Sequence, residues 1–231
     1  MFSKHVTLIG ENCLKTLQTS SVLITGMGGL GCTVAQMLAR TGIGELHIAD
    51  SDKVALSNLN RQILFDSNDI GRYKVDAAYE KLKKIAPNIT VFPIKDNVTE
   101  NFSLLSKINC IADCTDNYSS RIILDRIAEN LGIYLVHAGV NEFYGQITTV
   151  FHKKTPSFKE IFPQNLSDSG EVFPPLVTVI GSLQAGEIVK LLCGKKENLL
   201  NKILICDLRF NSMEICEITP IYKTNKYAGN N

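Results

Sequence analysis

Among the seven cysteines of this 231-residue chain there is no CxxC pair. Cys13, Cys32, Cys110, Cys114, Cys193, Cys206 and Cys216 are scattered, which argues against a disulfide framework and against a structural zinc. Most of them read as small core residues. No apolar stretch approaches the roughly 18 residues of a membrane span. No cleavable leader is expected, because the opening MFSKHVTLIGENCLKTL is too polar and soon gives way to a core strand. Strong charge of either sign is also missing: 24 basic residues against 23 acidic ones leave a formal net charge of +1. That balance argues against nucleic acid and against a membrane surface as partners. Internal repeats and low-complexity segments are absent. With 45% apolar and 20% charged residues, the composition is that of an ordinary soluble globule able to bury a proper core as one domain over 1–231, and a cytoplasmic location is expected.

What is present concentrates first in Val22 to Asp52. Val22 to Thr25 are apolar or β-branched, as a buried parallel strand requires, and the turn Gly26-Met27-Gly28-Gly29-Leu30-Gly31 follows at once. The apolar period then becomes helical, with Leu30, Val34 and Leu38 on one side and a stop near Arg40 and Gly42. Leu46 to Ala49 forms the next strand, Asp50 stands at its carboxyl end, and Asp52 follows. A glycine turn between strand and helix offers bare N–H groups to a phosphate, and an acid about twenty positions on can hold a ribose. A tight turn that merely packs helix on strand is the plainer alternative. The ordered set of strand, glycines, helix and acid favours a nucleotide site.

Downstream, Asn58, Asn60, Arg61 and Gln62 crowd into five positions and supply donors for phosphate oxygens. Lys74 lies early in a helix that Asp69 can cap and that ends at Pro87. Taken alone, Arg61 and Lys74 read as solvated charges. A strand over 89–94 precedes a short helix around Phe102 to Ser106 and a strand over 110–112, at whose end stands Asp113-Cys114-Thr115-Asp116-Asn117. Asp116 is either the cap of a helix over 118–130 or a magnesium carboxylate facing the nucleotide. Residues 133–136 are a further strand, and 147–151 begin an antiparallel extension. The proline-marked segment 152–175 reads as a long flexible loop. Helical period returns over 176–192, with Val179, Leu183, Ile188 and Leu191 as core positions, and strands over 203–206 and 213–218 pair across a turn. The expected fold is α/β, a Rossmann-like layered body with a mainly parallel central sheet and an antiparallel C-terminal extension. It divides into an arm (1–20), a nucleotide-binding half (21–135), a half that forms a platform for a larger partner (136–220) and a tail (221–231).

The run GMGGLG at 26–31, Asp50 and Asp52, SNLNRQ at 57–62, IGRYK ending at Lys74, DCTDN at 113–117, HAGVNEFYGQITTVF at 137–151 and IGSLQAGEIVKLL at 180–192 together resemble the ThiF/MoeB/HesA family of ubiquitin-activating-like adenylyltransferases. The resemblance implies ATP and magnesium, and adenylation of the C-terminal glycine carboxylate of a small β-grasp sulfur carrier, ThiS-like or MoaD-like, with release of pyrophosphate. It implies that Gly26, Gly28, Gly29 and Gly31 support the nucleotide, that Asp50 holds its ribose with Asp52 beside it, that Asn58, Arg61, Gln62 and Lys74 line the triphosphate, and that Asp116 meets magnesium. Arg61, Lys74 and Asp116 are then the catalytic groups, because a carboxylate attacking phosphorus needs fixed cations and no general base. A homodimer is implied as well.

Three departures qualify the match. Where the family has a YSRQ-like segment whose arginine reaches a partner subunit's ATP, this chain has Phe2-Ser3-Lys4-His5, and Lys4 keeps the charge without the bidentate fork. The zinc-binding CxxC pairs of many members are replaced by PSFKEIFP, with Ser157 and Glu160, and by a cysteine-free tail, so no structural zinc is expected. No cysteine stands over 166–172, only Ser167 and Ser169, which leaves adenylation supported without a thioester step. Rival readings are a tRNA-modifying dehydratase of the same superfamily, an NAD-dependent oxidoreductase and a non-catalytic carrier-binding subunit. Near-neutral charge opposes the first, and Arg61, Lys74 and Asp116 around one site oppose the second.

Overall fold

A computed structural model describes residues 2–99, 107–163 and 170–219. The arm is two short helices, α1 (Ser3–Ile9) and α2 (Glu11–Gln18), broken at Gly10 as expected. Strand β1 (Ser21–Thr25) is buried at every position, which is why its sequence is apolar without alternation. Helix α3 (Gly29–Thr41) follows and buries Leu30, Val34 and Leu38. It ends on Gly42 in the left-handed region, whose N–H donates to the Leu38 carbonyl. Then come β2 (Glu45–Ala49), α4 (Lys74–Ile85), β3 (Thr90–Ile94), β4 (Cys110–Asp113), α5 (Tyr118–Leu131), β5 (Tyr134–Asn141), β6 (Tyr144–Val150), α6 (Phe158–Ile161), α7 (Pro174–Leu192), β7 (Lys202–Asp207) and β8 (Ser212–Glu217).

The eight strands form one sheet in the order β3-β2-β1-β4-β5-β6-β7-β8. Pairings from β3 through β5 are parallel, and β5–β6, β6–β7 and β7–β8 are antiparallel. The chain moves outward from β1 to β3, then returns to lay β4 on the other side of β1. That reversal opens a crevice at the carboxyl ends of β1 and β4, the place where open α/β sheets bind ligands. Helices α3, α4 and α7 cover one apolar layer around Ile24, Leu38, Leu82 and Ile180. Helices α5 and α6 cover the other, around Leu23, Ile111, Leu124 and Phe158. The Rossmann-like layered fold and its antiparallel extension are therefore present.

Several local expectations change. Asp69 does not cap α4: it lies five residues before that helix, too early to reach its first-turn N–H groups, and accepts instead from the Asp66 N–H. The 152–175 loop is not structureless throughout, since Ser157 and Glu160 form a capping box that starts α6. Its residues 164–169, and with them Ser167 and Ser169, lie outside the described residues, as do the helix around Phe102 to Ser106 and the tail from 220. Helix α7 begins at Pro174, whose fixed φ suits the first helical turn. This 19-residue helix is also long and apolar enough to cross a bilayer by length and composition, contrary to the expectation that no such stretch exists. Half of it is buried inside the fold, and it carries buried Gln184 and Glu187, both hydrogen-bonded to the sheet or the loop beside it.

The largest correction concerns cysteine. Cys13 on α2 and Cys193 at the C-cap of α7 form a disulfide, with Cα atoms 5.1 Å apart and 180 residues between them in the chain. Spacing along the sequence carries no trace of it, because the pair exists only once α2 packs on the end of α7. The other five cysteines are free. Burial pushes the Cys32 thiol up to about 12 and also raises Cys110, Cys114 and Cys206, so none of these four is a nucleophile near neutrality. Ellman titration of the native protein is expected to count one thiol, the exposed Cys216. In denaturant without reductant it should count five, and after reduction all seven. A count of seven in denaturant alone would dismiss the Cys13–Cys193 bond.

Candidate functional site

Packing forces the glycine turn to be bare. At Gly31 a Cβ would lie 1.9 Å from the Gly26 carbonyl oxygen, and Gly26 itself has φ +87° with the Cys114 carbonyl 2.7 Å from its would-be Cβ. The first turn of α3 can therefore approach β1 and β4 closely only with glycine at both positions. Beside this turn lies a cleft of about 910 Å³. Gly26, Gly28, Gly29, Asp50, Asp52, Asn58, Arg61, Gln62, Lys74 and Asp116 all line it. Two residues singled out in the sequence do not. Gly31 is buried behind the turn, and Lys4 sits exposed on α1, away from the cleft wall of its own chain.

Asp50 joins the parts. Its Oδ2 accepts the Met27 N–H at 2.7 Å, and its Oδ1 accepts the Asp52 N–H at 2.7 Å. Lys74 Nζ, buried at the start of α4, lies 3.6 Å from Asp50 Oδ2 and 2.8 Å from Asp52 Oδ2. A cation is thus held at the cleft wall by one buried and one exposed carboxylate. Asn58 spends its Oδ1 on the Ala55 N–H, closing the short 3-10 turn Leu56–Asn58. Arg61 donates one guanidinium nitrogen to the Ser57 carbonyl and the Asn60 side chain, each at 3.1 Å. Gln62 is buried, and its Oε1 has no partner among the described residues.

The turn after β4 is more tightly built. Asp113 is fully buried: Oδ1 accepts the N–H and the hydroxyl of Thr115, at 3.0 and 2.7 Å, and Oδ2 accepts His137 Nδ1–H at 2.7 Å. Arg121, one turn into α5, donates to the Thr115 carbonyl and holds its Nε 3.9 Å from Asp113 Oδ2. Burial opposes the Asp113 charge, yet the His137 hydrogen bond and the Arg121 guanidinium keep its carboxyl below the usual carboxylate range. Burial also pushes His137 down against the pull of Asp113, so the imidazole is neutral and carries its proton on Nδ1. Asn117, not Asp116, caps α5 by accepting the Ser120 N–H. Asp116 is left exposed at the cleft with no hydrogen bond or ion pair among the described residues. Of the two readings of Asp116, the cap is excluded.

One free carboxylate beside a bare glycine turn is a donor set that would suit magnesium held jointly with the phosphates of a nucleotide. No group of three or more His, Cys, Asp or Glu gathers for a metal among the described residues. The cleft also contains groups passed over in the sequence, namely Arg121, Asn97, Tyr144 and Gln146. Arg121 could have been found, since it lies four residues after the Asn117 cap and so faces back toward the strand end. Asn97 could not, because its place depends on β3 pairing with β2.

Asp50→Ala strips an acceptor from the Met27 N–H and leaves Lys74 with only an exposed partner. In urea unfolding without nucleotide it is expected to cost about 3 kcal/mol. Asp52→Ala, whose side chain is 69% exposed, should cost less than about 1 kcal/mol. Equal losses for the two would refute the bracing role of Asp50.

The chain is similar to known proteins over most of its length. It is 33% identical over 220 residues to a molybdopterin-synthase adenylyltransferase of Salmonella typhimurium, with 88% of each chain covered. It is 34% identical over 188 residues to the adenylyltransferase and sulfurtransferase UBA4 of Saccharomyces cerevisiae, covering 77% of this chain and 43% of that longer protein. The crystal structure of Escherichia coli MccB with ATP has the same fold, with a TM-score of 0.83 at 22% identity over 95% of this chain and 71% of that one. The model of the ThiF family matches residues 2–227, and the chain belongs to that family.

Proposed function

We propose that the chain adenylates the C-terminal carboxylate of a small ubiquitin-like sulfur carrier, consuming ATP and releasing pyrophosphate. The observation that carries this reading is the convergence, in one cleft, of the bare glycine turn, Arg61, Lys74 and the unengaged carboxylate of Asp116. The names of its relatives support the same chemistry, and both MoaD-like and ThiS-like carriers belong in the test. In the step itself a carboxylate oxygen attacks the α-phosphorus, the bond from that phosphorus to the bridging oxygen breaks, and pyrophosphate leaves. The carboxylate is already ionised, so no base is needed. The barrier lies in bringing one anion onto another.

The residues divide that work. The glycine turn offers N–H groups to phosphate, Asp50 has lone pairs left for a ribose hydroxyl, and Asn58 and Gln62 offer amide groups. Lys74, neutralised in part by Asp50 and Asp52, fixes a cation at the wall, and Arg61 has guanidinium N–H groups free to follow the developing charge. Magnesium, when bound with ATP against Asp116, would offset phosphate charge. Lys4, exposed on α1, is available to a neighbouring subunit in a homodimer, and dependence on ATP makes the cytoplasm the expected compartment.

ATP–pyrophosphate exchange with a panel of diglycine-ended carriers tests the reading, and exchange with one of them is expected. ATP binding without exchange on any carrier, but with turnover of tRNA, would replace the substrate. Asp116→Ala should abolish magnesium-dependent exchange, and Arg61→Ala should lower turnover by about 100-fold with little change in ATP affinity. Unchanged turnover in the second variant would return Arg61 to the solvated surface.

A further inference from the structure

We infer that His137 is a positioning residue for Asp116, acting through the buried carboxylate of Asp113. The inference rests on the reading of Asp116 as the carboxylate that meets magnesium. Parallel pairing of β4 and β5 sets Asp113 directly against His137. Both are fully buried, and Phe158 of α6 and Phe162 just after it close over the imidazole with ring centroids 4.8 and 5.2 Å away.

Nearly every polar group around the turn is tied to the frame. The Asp113 carbonyl accepts from Gln184, the Cys114 N–H donates to the Thr25 carbonyl, and Thr115 is held by Asp113 on one side and Arg121 on the other. Asn117 is fixed as the cap of α5. Asp116, between Thr115 and Asn117, alone has its side chain unengaged. The turn therefore presents one carboxylate on a rigid mount, and the mount depends on the direction of the Asp113 carboxylate.

That direction is set by two opposed contacts. Thr115 takes Oδ1, and His137 takes Oδ2. Remove the imidazole, and Oδ2 loses its donor at a fully buried position, with the Arg121 guanidinium nearby to draw the carboxylate away. Thr115 then follows, and Asp116 with it. A neutral donor suits this place, since it fills Oδ2 while leaving Arg121 as the countercharge. Supporting groups behind a metal carboxylate commonly affect metal affinity by about 10-fold or more.

The test is calorimetric titration of the full chain with ATP, in magnesium and in EDTA, with thermal melting alongside. The ratio of the two affinities measures the metal's share and is independent of turnover. For Asp116→Asn the ratio is expected to fall close to one. His137→Leu should cut it about 10-fold, and His137→Asn should recover most of it, because an asparagine amide can donate from near the Nδ1 position. Both His137 variants lose ring packing against Phe158 and Phe162, so a merely structural role would depress melting in both and separate neither ratio. An unchanged ratio in His137→Leu, with a loss in Asp116→Asn, overturns the inference alone. An unchanged ratio in Asp116→Asn overturns the reading of Asp116 on which it rests. Should His137→Leu fail to fold, Thr115→Val removes the hydroxyl donor from the opposed contact, leaving the residue 115 N–H on Oδ1, and must lower the ratio for the inference to stand.

Discussion

The carboxylate of Asp50 ties together three segments that come from different parts of the chain. It accepts from the glycine turn at Met27, accepts from its own strand end at Asp52, and sits within 3.6 Å of the Lys74 ammonium at the start of α4. Burial makes these contacts matter. A charge this far out of water is tolerable only when paired and hydrogen-bonded, so the cation and the turn are held where the carboxylate is. The glycine turn, the lysine and the mouth of the crevice are thus one electrostatic unit.

Across the crevice a second unit has the same logic with different groups. Asp113 at the end of β4 is buried with a neutral His137 and the Arg121 guanidinium, and it shapes the turn that exposes Asp116. Strand order brings the two units together, because β4 returns to lie beside β1. One wall supplies cation and N–H groups, and the other supplies a free carboxylate. A triphosphate with a divalent metal needs both.

The polar parts of α7 belong to this frame. Gln184 donates to the carbonyls of Asp113 and Val136, and Glu187 accepts from Thr149 and the Leu199 N–H. These bonds fix a strongly apolar helix in one register on the sheet, where hydrophobic packing alone would allow it to slide. At its far end Cys193 clamps α2, and with it an arm that buries few residues of its own besides Cys13 and Leu17.

The sequence by itself determined the elements whose cause is local. Strand, glycine turn and helix over 22–42, the acid at the end of β2, the helix stop at Gly42 and the antiparallel strands near the C-terminus follow from period, capping and backbone freedom within a few residues of one another. Part of the cleft was legible for the same reason, since Gly26, Asp50 and Asp116 stand just beyond strand ends, whereas Arg61 and Lys74 stood out only through the cluster around them and the family resemblance. Only the tertiary structure decided which side chains meet across long separations. Cys13 finds Cys193, His137 finds Asp113 and Gln184 spans two strands because sheet order and helix packing bring them together, and no local pattern encodes that register. Asp116 marks the boundary between the two. Its place at a strand end was readable, but its freedom came from Asn117 taking the cap and from buried groups holding the turn beneath it.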